Sequence, residues 1–243
     1  MVEKDVTEHY NQAWAEDFIP PYVLSLYAPL KKIGISKNTK VLDLGCGNGA
    51  IGEWLRKNFA CQVWGTEISD VAAVQATQKG YTQVVCHSLE DERPPFPGQK
   101  FNIVLLCATL EHLFTPEKAL QQARTSLKED GILLVLTPNV CWIRNRFLFL
   151  LGFWQHKLLG GTRGHIHYFN KIQLKQLLEE KGFGQLDWSY SALFVVSPKR
   201  RIGILRLLIG KRVRWWQGLW AENFIVIAKK AEKTKENRDY AEI

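Results

Sequence analysis

Short apolar runs alternate along this chain with segments whose apolar positions recur every three or four residues, the periods of buried strands and of amphipathic helices. Strands are expected over 40–44, 62–67, 83–86, 101–107 and 132–137, with helices near 50–57, 70–79 and 117–128. An earlier helix, 22–32, follows Pro20 and Pro21, which suit a helix start. Later, Lys171 to Lys181 is amphipathic and stops at Gly182, and 183–196 and 223–228 read as two further strands. Strand–helix alternation of this kind builds a parallel, doubly wound α/β sheet.

At 243 residues and 46% hydrophobic content the chain is long enough to bury one core, and no Pro/Gly/Ser-rich linker divides it. One domain over 1–230 is expected, with an N-terminal helical cap (1–36), a basic amphipathic insertion (197–220) and a disordered polar tail (231–243). Five cysteines (Cys46, Cys61, Cys86, Cys107, Cys141) form no C-x-x-C pair, so reduced thiols and a cytoplasmic location are expected. The start, MVEKDVTEHY, has no apolar core like a signal peptide, and 147–154 is too short to span a bilayer.

The net charge of +8 is concentrated towards the C-terminus: no acid falls between Asp130 and Glu179, nor between Asp187 and Glu222. Within 199–216, lysines and arginines alternate with Ile, Leu and Trp. That composition fits a helix on an anionic membrane surface or a lid over a site, and the two stay open. Nucleic acid is not an expected partner, because no reader motif accompanies the charge.

The most specific chemistry lies in VLDLGCGNG, Val41 to Gly49: a strand ending in Asp43, then Gly45, Gly47 and Gly49. Such spacing allows φ > 0 and lets a ligand lie against backbone, with a helix N-terminus behind it for an anionic group. Gly47, Gly49 and Gly52 also satisfy G-x-G-x-x-G, and Glu67 follows Gly47 by 20 residues, so a dinucleotide oxidoreductase is one reading. Its Tyr-x-x-x-Lys spacing occurs only at Tyr27 and Lys31, upstream of the loop.

Asp43 stands where dinucleotide folds keep an apolar residue, and the loop resembles that of class I S-adenosylmethionine-dependent methyltransferases. The resemblance extends through VWGTEIS (63–69), PPFPGQKFNIVLLCATLEHL (94–113) and LKEDGILLVLTPN (127–139). GHIHYFNKIQLKQLLEEKGF (164–183) resembles a bacterial subgroup modifying small molecules, quinones, lipids and glycans. The resemblance implies a Rossmann-like sheet of seven strands, mostly parallel with an antiparallel edge strand. It also implies S-adenosylmethionine as cofactor, held by Asp43, Gly45, Cys46, Gly47, Asn48, Gly49, Glu67, Ile68, Ser88, Leu89 and Cys107. Of these, loop amides from Cys46 to Gly49 meet the methionine end, Glu67 the ribose hydroxyls, and Ser88 replaces a commoner Asp at the adenine edge.

A sulfonium methyl is already activated, so the protein needs chiefly to align a nucleophile and take its proton. His112 and the pair His165 and His167 are candidate bases; Arg144, Arg146 and Arg163 suit an anionic acceptor. His165 and His167, two apart on an extended segment, would share one face, and Glu111 or His156 could supply a third ligand only through the tertiary fold, so no metal is expected. The N-P-P-Y pattern of amino methylation is missing after the fourth strand, which favours an oxygen acceptor and leaves carbon open; the resemblance implies an anionic acceptor that is small, glycan-like or lipid-linked. A non-catalytic membrane- or partner-binding protein on the same fold is the third reading.

Overall fold

A computed structural model describes residues 7, 8, 10, 11, 21–153, 164–191 and 217–231. A 3-10 turn, Pro21–Leu26, runs into α1 (Tyr27–Ile33). Then come β1 (Lys40–Leu44), α2 (Ala50–Phe59), β2 (Gln62–Glu67), α3 (Asp70–Gln78), β3 (Gln83–Cys86) and β4 (Phe101–Cys107). They are followed by α4 (Pro116–Ser126), β5 (Leu127–Pro138), α5 (Ile143–Leu150), α6 (Lys171–Glu180), β6 (Phe183–Ser191), the short α7 (Gln217–Trp220) and β7 (Asn223–Lys230).

The seven strands form one sheet in the order β3-β2-β1-β4-β5-β7-β6. Pairs from β3 to β5 are parallel, whereas β7 runs antiparallel to both β5 and β6. The reversed strand therefore lies one place inside the edge, and β6 forms the edge. Apolar side chains fill both faces. One layer gathers Leu42, Leu44, Val104, Leu106, Leu120 and Leu174; the other gathers Val41, Val63, Leu105, Leu30 and Leu55. Strands buried on two faces must read as continuous apolar runs, which is why they stand out in the sequence. Asn102 fixes the register at the start of β1: its Oδ1 accepts from the Lys40 amide at 2.9 Å.

Two elements depart from the expected pattern. Strand β5 begins at Leu127, because Leu127 bridges Phe101 across a register shift and the Lys230 ammonium ties down Leu127 O (2.9 Å) and Glu129 (3.0 Å). Helix α5 falls in a segment where no element was expected. No side chain caps its start; instead buried Asn145 donates to Asn139 O and Val140 O and anchors it. Residues 192–216, which hold most of the basic insertion, and the tail 232–243 lie outside the described residues. Among those described, no helix is long and apolar enough to cross a membrane.

The order 3-2-1-4 places a topological switch between β1 and β4, with a crevice outside their carboxyl ends. The loop there owes its glycines partly to its own packing. At Gly49, φ is +78° and an added Cβ would lie 2.6 Å from Ala76 Cα of α3. At Gly98, φ is the same and the space is open. Gly98→Ala is expected to cost only the left-handed conformation, about 1–2 kcal/mol, and Gly49→Ala about 1–3 kcal/mol more for overpacking. Urea denaturation of the two variants measures the difference; equal costs would mean that α2 and α3 do not meet as described.

Candidate active site

The loop after β1 is braced by hydrogen bonds within the protein. Gly45 and Cys46 N–H both donate to Thr66 O (3.0 and 2.8 Å), Gly49 N–H to Cys46 O (3.0 Å), and Gly47 N–H to Glu67 Oε2 (2.8 Å). These donors, expected to face a ligand, are committed to the chain itself. Asn48 is 1% exposed and its Oδ1 accepts from Ala50 N (3.2 Å) at the start of α2. Cys46 and Cys107 are buried in the apolar layer, and desolvation pushes both thiols well up. What the loop leaves open is Asp43: Oδ2 accepts from the Tyr81 hydroxyl (2.8 Å), while fully buried Oδ1 has no partner among the described residues. Burial raises this carboxyl to about 7 against the pull of the Tyr81 bond.

Glu67 ends β2 and is 6% exposed. Besides Gly47 N–H, it accepts from the amides of Ile68 (2.9 Å) and Ser69 (3.1 Å). Three of a carboxylate's four lone-pair positions are thereby filled, leaving one for an incoming hydroxyl. Desolvation still outweighs those amides and raises its pKa. Ile68 is half-buried beside it. Ser88 and Leu89 sit on the turn after β3, where Ser88 Oγ accepts from Glu90 N (3.2 Å) and Leu89 is core. The Ser88 hydroxyl thus braces its own turn.

The turn after β4 supplies the second half of the site. Ala108 adopts φ +54°, a left-handed conformation that a non-glycine residue holds only against a cost. Its N–H is held by Leu136 O (2.8 Å), and Thr109 Oγ1 donates to Leu44 O (3.2 Å). The chain then enters a 3-10 turn, Leu110–His112, which carries Glu111 inward. Glu111 is 1% exposed; Thr137 Oγ1 donates to its Oε2 (3.1 Å) and Oε1 has no partner. Burial lifts it to about 7. Burial together with Glu67 and Glu111 pushes Tyr10 up to about 12; burial, with Cys107, Glu111 and Asp43, raises Tyr22 too. The N-terminal segment therefore covers this end of the sheet.

His165 reaches the same place through backbone bonds. Glu111 O accepts from the amides of Ile166 (2.8 Å) and His167 (3.0 Å), Val140 N–H donates to Phe169 O (3.1 Å), and the Asn170–Gln173 capping box starts α6. The imidazoles of His112 and His165 meet edge to face, centroids 4.6 Å apart. His167, expected to share a face with His165, instead stacks on Phe169 and reaches Phe114 O (3.4 Å). The sequence pairing of 165 with 167 is replaced by a tertiary pairing of 165 with 112. Of the arginines, Arg146 Nε donates to Cys141 O (2.7 Å), Arg144 lies over the Trp142 ring at 5.5 Å, and Arg163 is outside the described residues. Tyr27 packs on Trp54 and Phe59 at α1 and the far end of α2, so the Tyr27–Lys31 spacing has no part in the site.

A glycine-turn crevice at the switch point, with an acid at the carboxyl end of each of β1 and β2 and another after β4, fits a nucleoside-binding enzyme of the doubly wound class. The chain belongs to a methyltransferase-domain family, whose profile matches residues 12–186. A ubiquinone biosynthesis O-methyltransferase from Glaesserella parasuis is 29% identical over 51% of this chain and 56% of its own length. Another, from Colwellia psychrerythraea, is 30% identical over 68% and 71%. Against the first of these relatives the chain spans little more than half their length. A possible histamine N-methyltransferase from Thermotoga maritima shares the fold at TM-score 0.63 and 18% identity, covering 94% of this chain and 97% of that one. Magnesium protoporphyrin IX methyltransferase from Synechocystis, solved with S-adenosylhomocysteine, does so at 0.58 and 15%, covering 94% and 96%.

The chain carries a methyltransferase domain, and its residues fit S-adenosylmethionine as cofactor. Among the described residues Asp43 Oδ1 is a buried acceptor without a donor, which an ammonium would suit, and Glu67 keeps one lone-pair position that a ribose hydroxyl would fill. When bound, the cofactor supplies an electrophilic methyl. Because Asp43 is largely protonated below about pH 7, binding a cation beside it must expel a proton there and not at higher pH. Cofactor affinity is expected to rise between about pH 5 and 7 and then level. Calorimetry in buffers of different ionisation enthalpy should find proton release near pH 6, absent near pH 8 and reduced in Asp43→Asn. Glu67→Ala should weaken binding on the order of 10- to 100-fold, one charge-assisted bond, in the same titration.

Proposed function

We propose that the protein methylates the oxygen of a small, lipid-linked hydroxyl compound. The observation that carries this reading is the His112–His165 pair, two imidazoles at the end of the sheet where the unpartnered Asp43 oxygen also lies. An acceptor hydroxyl there has a group at hand to receive its proton, and imidazole does so near neutral pH. The names of the ubiquinone biosynthesis relatives, O-methyltransferases, support oxygen over nitrogen or carbon. Helix α5 supports a hydrocarbon portion: Phe147, Leu150, Leu151 and Phe153 are exposed along and just beyond it, with Arg144 and Arg146 beside them. Tyr10 and Tyr168, whose rings lie 6.3 Å from His112 and 6.5 Å from His165, support a planar acceptor ring.

Carbon-13 methyl-labelled S-adenosylmethionine, presented with prenylated phenols and catechols and with soluble sugar acids, tests the reading. A methoxy carbon signal on the prenylated phenols is expected. In His112→Ala, turnover should fall by about 100-fold or more with cofactor affinity retained. Label on nitrogen or carbon, or on the sugars alone, would overturn the acceptor class.

A further inference from the structure

Tyr81 lies on the turn between α3 and β3, outside the cofactor motifs, yet its side chain ends against the glycine loop. It is 5% exposed, and its turn is fastened on both sides: Arg56 Nη1 of α2 donates to Lys79 O (2.9 Å), and Thr82 N–H donates to Val63 O of β2 (2.7 Å). The hydroxyl is used twice, accepting from Gly52 N–H in the first turn of α2 (3.0 Å) and donating to Asp43 Oδ2 near the carboxyl end of β1 (2.8 Å). The ring needs bare backbone on two elements: an added Cβ at Gly52 would collide with Tyr81 Cζ, and one at Gly65 of β2 would lie 2.9 Å from Cδ1. We infer that Tyr81 is a positioning residue for the cofactor, holding the Asp43 carboxylate by one oxygen so that the other is left to the ammonium of S-adenosylmethionine.

The direction of the bond follows from the partners. A phenol whose oxygen accepts from Gly52 N–H has one proton to give, and Asp43 Oδ2 receives it. The terminal torsion of an aspartate is otherwise soft, so a rigid ring locked between α2 and β2 gives the carboxylate one orientation. Its other oxygen, Oδ1, is buried and without a partner among the described residues, and such an atom calls for a donor. Around Asp43 stand Glu67 at the end of β2, the Cys46 thiol of the loop, the Cys107 thiol of β4 and the Tyr22 phenol. None of them is a cation. Burial and Glu67 push the carboxyl up, and the Tyr81 hydroxyl pulls it back.

Loss of that hydroxyl therefore makes Asp43 titrate higher, and an incoming ammonium must expel a proton over a wider range of pH. A tyrosine that only filled space would, on removal of its oxygen, weaken binding by one factor at every pH. Nothing here depends on the acceptor, and the titration of Asp43 is read in the unliganded protein without reference to the cofactor.

Full-length wild type and Tyr81→Phe are compared by carbon-13 NMR of aspartate-labelled protein, the Asp43 carboxyl signal being the one absent from Asp43→Asn. Both are then titrated calorimetrically with S-adenosylhomocysteine, which keeps the ammonium and lacks the reactive methyl. In Tyr81→Phe the Asp43 titration should move up by roughly one pH unit. Affinity should fall on the order of tenfold at about pH 6 and nearly recover at about pH 8.5. In the Asp43→Asn background the same substitution should leave the pH profile unchanged. An Asp43 signal that titrates alike in both proteins, or an affinity loss equal at all pH values, overturns the role of Tyr81. Wild type that binds no S-adenosylhomocysteine at any of these pH values overturns the cofactor fit as well. Where circular dichroism shows Tyr81→Phe unfolded, fluorotyrosine in place of the chain's tyrosines strengthens the donor without removing it: Asp43 should then titrate lower, and an unmoved signal is the contrary result.

Discussion

Three carboxylates, Asp43, Glu67 and Glu111, are buried at the carboxyl end of one sheet, and none is ion-paired among the described residues. Removing a carboxylate from water costs several kcal/mol unless its lone pairs are met, and the local structure is largely a set of partial answers to that cost. Glu67 is answered best, by three amides that in return hold the glycine turn closed. Asp43 is answered on one side by Tyr81, whose own oxygen is fixed by Gly52 N–H at 3.0 Å. Glu111 has one hydroxyl. Among the described residues nothing meets the remaining oxygens of Asp43 and Glu111, and burial raises all three groups.

Much of this was legible in the sequence because the sheet is buried on both faces. Strands β1 to β4 have the limits that their apolar runs predict, and the acid ending β1 and the acid ending β2 lie where the spacing puts them. The glycines have a second reason besides the one inferred. Gly49 and Gly45 make room for Ala76 and Thr109 as well as for a turn, so a pattern that looks like ligand clearance also records how tightly α2, α3 and the β4 turn pack. A side chain at either position would lift those elements apart before it touched any ligand.

The partnership of His165 was not legible. Two histidines two apart on an extended segment suggest one face, but the segment is positioned by bonds to Glu111 O and from Val140 N–H, and nothing in local spacing encodes either. The signal that existed was Glu111 itself, an acid beside a histidine directly after a strand that ends at the crevice. Helix α5 was hidden for a similar reason: its anchor is a buried Asn145 reaching back to carbonyls, without a cap. Boundaries set by tertiary hydrogen bonds lack the local signatures that caps and turns leave.

Leaving two buried oxygens unmet lowers the stability of the unliganded protein, and that cost has a use. Either oxygen would be quieter as an amide or an apolar group, because replacing a buried charge by a neutral group of similar shape is often neutral or stabilising. Retaining the charge makes the crevice favour cations at two places: beside the glycine turn, and beside the imidazole pair. A methyl donor carrying ammonium and sulfonium charge would meet the first. The same desolvation that raises these carboxyls therefore favours positive charge in the crevice.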